Sequence, residues 1–171
     1  MRQVYLSLVI FVILVLEGVA LELLPAQTFG DLFIISHWVL VCLIYVAIFY
    51  DSEETNFSLF YAFFFGLLVD IVYTNILGVY MFTYAITIYI IKKLTRLFQS
   101  NLLSTILFGI LGITLTDILI YLIFTVIEIT ELPWQDYIIY RLLPTILANI
   151  VFLTVIYPFI TKKLIKWKKS R

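Results

Sequence analysis

Phe57-Ser-Leu-Phe-Tyr-Ala-Phe-Phe-Phe-Gly66-Leu-Leu-Val-Asp70-Ile-Val-Tyr-Thr-Asn75-Ile-Leu-Gly78-Val opens an apolar run that continues to Ile91 and holds one carboxylate, Asp70. A helix rises about 1.5 Å per residue and the hydrocarbon core of a bilayer is about 30 Å thick. The run is too long for one crossing and must fold back. Its weakest helical stretch is Thr74-Asn75 and Gly78: Thr and Asn favour turns and caps, and Gly tolerates backbone conformations closed to other residues. The reading is two short helices in a tight hairpin. The break falls between Val72 and Val79, Asn75 lies at or near the tip, and Asp70 sits one turn before the bend.

Composition extends that reading to the whole chain. Hydrophobic residues make up 64% and charged residues 13% of the 171 positions, and mean hydropathy is +1.12. A soluble domain carries roughly 25% charged residues. The chain is therefore expected to be an all-α polytopic membrane protein, a single transmembrane domain over residues 1–171. A lone His and a lone Cys argue against a structural metal site, and Cys42 has no partner for an internal disulfide. No cofactor is implied.

Six spans are predicted, at about Val4 to Leu24, Leu32 to Tyr50, the two arms of the hairpin, Leu102 to Ile127, and Tyr137 to Ile160. Met1-Arg2-Gln3 before the first run also resembles a signal peptide with Gly18-Val19-Ala20 as cleavage site. The length of the run, Glu17 within it and the spans that follow favour a retained helix. Acidic loops lie at Asp51 to Glu54 and Glu128 to Asp136; basic residues gather at Lys92, Lys93 and Arg96 and in the tail from Lys162 to Arg171. The positive-inside rule counts Lys and Arg and largely ignores acids. It puts both termini in the cytoplasm, with Arg141 the one cation toward the outside and Trp167 an interfacial anchor.

Ionisable groups within the spans are few: Glu17, His37, Asp70, Asp117 and Arg141. Such groups cost several kcal/mol at mid-depth and are usually paired or face a cavity. With this topology all five fall in the outer half of the bilayer. Arg141 is the only cation there to compensate an acid, so it is expected within direct or one-water reach of Asp70 or Asp117. Thr145 and Asn149 follow it at i+4 and i+8 and extend a polar stripe. Pro144, lacking an N–H, frees the carbonyl of Tyr140. Glu17, Asp70, Asp117, Arg141 and Asn149 form the expected intramembrane cluster. It reads as a structural ion pair, a ligand or ion site, or residues snorkelling to the surface. His37 reads as a solvated interfacial residue and Cys42 as core packing. Phe63-Phe64-Phe65 read as lipid-facing bulk or packing.

Two aspartates on two spans invite comparison with intramembrane aspartyl proteases, which pair a Tyr-Asp with a Gly-x-Gly-Asp. Here Asp70 follows Leu-Leu-Val and Asp117 follows Thr-Leu-Thr, so the second motif is missing. There is no Ser–His pair at helical spacing, no phosphate-binding glycine loop and no metal-ligand set. A non-enzyme is expected.

From Gly66 to about Phe98 the chain resembles the MreD family of bacterial rod-shape-determining membrane proteins. The shared pattern is a Gly-x-x-x-Asp on one span, a Leu-Gly opening the next, then a Tyr and a basic patch near its inner end: here Gly66, Asp70, Leu77, Gly78, Tyr89 and Lys92-Lys93. Size, span count and inside termini agree more loosely over the whole chain. The resemblance implies a non-catalytic scaffold in the inner (cytoplasmic) membrane. Its partners would be the bitopic protein MreC and, through the elongation complex, MreB filaments, a SEDS glycosyltransferase and a penicillin-binding transpeptidase; it would organise peptidoglycan synthesis. An alternative of similar size is the substrate-binding subunit of an energy-coupling-factor vitamin transporter, which also has six spans and an outward polar pocket. Against that, span one carries bulky Ile10, Val12, Ile13 and Leu14 where such subunits show an Ala-x-x-x-Ala surface. No nucleic-acid partner is implied.

Overall fold

The structure is a computed structural model and describes residues 2–23, 32–52 and 55–169. Most of the predicted loop from Glu22 to Asp31, with Pro25 and Gly30, lies outside the described residues, as do Glu53, Glu54 and the end of the tail. Among the described residues all regular structure is helical. The helices are α1 (Arg2–Leu23), α2 (Trp38–Tyr50), α3 (Phe57–Thr74), α4 (Val79–Thr95), α5 (Leu102–Val126) and α6 (Trp134–Lys169). Four stretches are long and apolar enough to cross a membrane: Gln3–Leu23, Phe57–Thr74, Leu102–Val126 and Trp134–Lys169.

The bundle is built around α2. Every residue from Val39 to Tyr50 is buried, as hydrophobicity on all sides of a helix requires. The other helices ring it in the order α1, α3, α4, α5, α6. The ring closes from α6 back to α1 through Trp167 and Tyr5, whose ring centroids lie 6.5 Å apart. Small residues set the closest approaches. A Cβ on Gly112 of α5 would lie 2.8 Å from side-chain tips of Ile44 and Ile91, so α2, α4 and α5 meet there. Thr87 and Thr116 add a hydrogen bond of 2.8 Å between α4 and α5. Phe63 and Phe64 are exposed while Phe65 is buried.

The hairpin breaks where the sequence is weakest. The last turn of α3, Asp70–Thr74, widens to π-helical geometry and ends at Asn75 in the left-handed region with φ 55°. Gly78 follows at φ 103°, a conformation that favours glycine, and α4 starts at Val79. Below the turn α3 and α4 touch through their backbones. A Cβ on Gly66 would lie 2.7 Å from both Met81 Cα and the Tyr80 carbonyl oxygen.

Two span boundaries differ from the sequence reading. Leu32 to His37 is not helical, and α2 begins only at Trp38. Hydropathy marks the apolar run from Leu32 to Tyr50 but does not distinguish a helix from non-helical backbone buried among helices. At about 1.5 Å per residue α2 is roughly 20 Å long, short of the hydrocarbon thickness. The six non-helical residues 32–37 lead into it. At the other end α6 runs on to Lys169, well past the expected Ile160.

Gly66→Ala is expected to force α3 and α4 apart and to destabilise the protein by about 3 kcal/mol, the upper end for overpacking, since its neighbours are backbone atoms. Gly109→Ala meets only the side-chain tips of Leu153 and Ile150, and should cost less. Thermal unfolding of the two variants in detergent checks the order.

Candidate functional site

The non-helical segment creates the demand that the polar residues meet. A backbone in hydrocarbon must have its N–H and C=O groups bonded within the protein. The segment before α2 runs alongside α6. Phe33 N donates to the Tyr140 carbonyl (2.8 Å), which Pro144 leaves without its helical partner. Ile35 N donates to Thr145 Oγ1 (3.1 Å) and His37 N to Asn149 Oδ1 (2.7 Å). Asn149 Nδ2 returns a bond of 2.7 Å to the Ile35 carbonyl. The register has a geometric basis. Alternate residues of an extended chain advance about 6.6 Å, and helical residues four apart advance about 6 Å. Residues 33, 35 and 37 therefore keep step with 140–141, 145 and 149.

Two acids cap helices that begin inside the bundle. Glu17 of α1 accepts from Val39 N (2.7 Å) in the first turn of α2. Asp70 accepts from Gly78 N (2.9 Å), Tyr80 N (2.8 Å) and Met81 N (3.1 Å), at the first turn of α4. Helix N-termini expose unpaired N–H groups, so an acidic side chain there finds donors without a cation. Both carboxylates are buried. Leu77 of the same turn is exposed.

Asp117 is the centre of the remaining cluster. Tyr137 OH donates to its Oδ2 (2.7 Å), and Arg141 Nη2 lies 3.3 Å from its Oδ1. His37 Nε2 is 3.5 Å from the same oxygen. Tyr137 and Arg141 are four apart in a π-helical turn at the start of α6, Tyr137–Leu142, which turns both toward α5.

The structure thus joins Arg141 to Asp117 and not to Asp70, which is occupied by α4. Asn149 belongs with the extended segment, two residue pairs along α6 from Arg141. His37 is fully buried rather than solvated, because the non-helical segment carrying it is folded into the bundle. The sequence reading missed Tyr137. Its signal was the i+4 spacing to Arg141, which places both on one face.

A second polar centre lies at the far end of α2, also missed. Asp51 Oδ1 accepts from Ser52 N (3.1 Å) and Thr55 Oγ1. Its Oδ2 accepts from Ser58 N (3.1 Å) and Ser58 Oγ (2.6 Å), and lies 3.2 Å from Lys92 Nζ. Burial pushes the Asp51 pKa up, but the bonds from Ser58, Thr55 and Lys92 outweigh it and hold the carboxyl below its ordinary 3.8.

Breaking the Asp117–Arg141 pair by Asp117→Leu or Arg141→Leu should each destabilise by roughly 3–5 kcal/mol, since one charge stays buried and uncompensated. The double variant should cost less than the sum, read from thermal unfolding of all four proteins. The same cycle with Asp70 and Arg141 should be additive. For Asp51 the folded pKa lies below the unfolded one, so its contribution is present above about pH 4 and lost as pH falls through the folded value. Asp51→Asn should therefore lower the unfolding midpoint more at pH 7 than at pH 3.

Comparison with known proteins agrees with the family resemblance of the hairpin. The family model for the rod shape-determining protein MreD matches residues 2–167. The curated rod shape-determining protein MreD of Bacillus subtilis (strain 168) is 28% identical over 162 residues, covering 93% of this chain and 92% of that protein. No solved structure matches the chain significantly. The match runs through α1 to α6 and takes in both polar centres, and the chain belongs to the MreD family of rod shape-determining proteins.

Proposed function

We propose that this protein is a non-catalytic scaffold of the cell-elongation machinery. It crosses the inner membrane six times with both termini in the cytoplasm. It binds a bitopic MreC-like protein and, through the elongation complex, serves MreB, a SEDS glycosyltransferase and a penicillin-binding transpeptidase in organised peptidoglycan synthesis. The observation that carries the reading is the commitment of the intramembrane acids. Glu17 and Asp70 are bonded to helix N-termini, and Asp117 is bonded to Tyr137 and Arg141. These groups hold the bundle together, and the functional surface is left to helix faces and loops. The extended segment followed by α2 is long enough for one crossing, which supports the count of six. The concentration of cations at Lys92, Lys93, Arg96 and the tail supports the orientation.

A second reading, the substrate-binding transporter subunit, has one observation in its favour. His37 Nδ1 and Arg141 Nε are buried beside Asp117 without a partner among the described residues.

Purification from native membrane separates the two: an MreC-like protein should co-purify, whereas a bound small molecule would support the transporter subunit. In a variant lacking Cys42, single cysteines at Glu53, Ser100 and Ser170 should resist an impermeant thiol reagent in intact cells. Cysteines at Gln27 and Glu131 should react, and labelling at Ser100 would overturn the orientation.

A further inference from the structure

The far end of α2 opens into a cavity of about 160 Å³, lined among others by Ile48, Asp51, Lys92, Arg96, Ser100 and Lys168. Three cations face one carboxylate, and the bonding shows which of them are used. Lys92 directs its three N–H groups at Asp51 Oδ2, the Thr55 carbonyl and Asn56 Oδ1. It neutralises Asp51 and has no donor left. Lys168 gives one bond, of 2.8 Å, to the Asp51 carbonyl, and keeps two donors. Arg96 is exposed at the end of α4, and its side chain makes no hydrogen bond or ion pair among the described residues.

Helix-end electrostatics explains only part of this arrangement. The C-terminal ends of α2 and α4 attract cations, and Lys168 meets the Asp51 carbonyl at the end of α2. Arg96 meets none. The cavity therefore presents two uncompensated positive charges on two different helices and up to seven free N–H donors, five of them in the planar fork of a guanidinium. An oxyanion with several acceptor oxygens matches that set, and a guanidinium fork suits phosphate geometry. The helices around the cavity end together at the edge of the bundle, beside the basic tail, where the polar boundary of a bilayer would lie.

We propose that this cavity is a binding site for a phosphate ester, held between Arg96 and Lys168, with Lys92 and Asp51 as its fixed wall. The phosphate can come from an anionic lipid headgroup or from a soluble phosphorylated compound.

The test uses the full chain in a neutral sugar detergent, with binding followed by thermal shift and native mass spectrometry. The probes are a short-chain phosphatidylglycerol and inorganic phosphate. The wild-type protein should bind the lipid saturably. Arg96→Ala and Lys168→Ala should each weaken binding by about tenfold, as for loss of a charged hydrogen bond. Lys93→Ala removes the same charge from a side chain lying over the Tyr89 ring at 4.7 Å, outside the cavity, and should change affinity less than about twofold. Arg96→Lys keeps the charge without the fork and should fall between wild type and Arg96→Ala, provided each variant elutes and unfolds like the parent. Competition by inorganic phosphate assigns the site to a soluble compound; its failure to compete assigns it to lipid. Equal weakening by Lys93→Ala and Arg96→Ala, or no saturable binding of either probe, would overturn the proposal.

Discussion

Everything distinctive in this bundle follows from backbone that is not helical inside an apolar environment. A helix closes its own hydrogen bonds; a helix end or an extended strand does not. Among the described residues two helix starts, Trp38 and Val79, and one non-helical segment, 32–37, lie within the bundle. Each is met by a particular side chain. Glu17 serves α2, Asp70 serves α4, and Thr145 with Asn149 serves the strand. The polar residues of a chain this hydrophobic are therefore largely architectural. Substituting one exposes an unpaired backbone group as well as losing a contact, which is the costlier half of the change.

The hairpin was legible because its signals are local: Thr74, Asn75 and Gly78 are turn residues whatever surrounds them, and Asn75 and Gly78 take the positive φ such residues allow. Pro144 was legible for the same reason, since a missing N–H frees a carbonyl one turn back, and Phe33 N occupies it. The function of Asp70 was not legible. The N–H donors it accepts from are reached eight to eleven residues on, across a turn, which no helical or strand period encodes. The break before α2 was hidden because Leu32-Phe-Ile-Ile-Ser36 is apolar enough to pass for helix. What betrays it is distant: the pair Thr145 and Asn149, four apart on α6, is surplus to any ion pair and matches the spacing of an extended chain. Asp51 was hidden in a cluster of acids, because its partners Ser58 and Lys92 lie on other helices that no local pattern joins to it.

The Asp117 cluster differs from the two caps in kind. An acidic side chain at a helix N-terminus is bonded by backbone N–H groups that cannot leave, as Glu17 and Asp70 are. Asp117 sits in the middle of α5, where the helix offers it no free N–H. Its balance comes from Tyr137 and Arg141, both in the π-helical turn at the start of α6, and from His37 at the end of the strand. The three elements are thereby tied at one point: α5, α6 and the entry to α2. Buried pairs of this sort are often worth little as stability and are best understood as fixing which arrangement the helices adopt.

That division bears on how a partner helix could recognise the protein. Exposed apolar residues are ordinary in lipid, so the bare face of α1, with Leu8, Phe11, Val15 and Val19 exposed, does not by itself mark a contact. Specific association in a bilayer rests on close packing or on hydrogen bonds that lipid tails cannot supply. Most polar groups inside the bundle are already bonded, and Gly66, Gly109 and Gly112 are occupied by contacts within it. On α1 the stripe Leu6, Ile10, Leu14 and Glu17 is buried against the bundle, tied there by Tyr73 OH to the Leu14 carbonyl at 2.5 Å. A scaffold built this way keeps its interior rigid and leaves selectivity to the shape of its outer helices and to its ends, where charge remains to be matched.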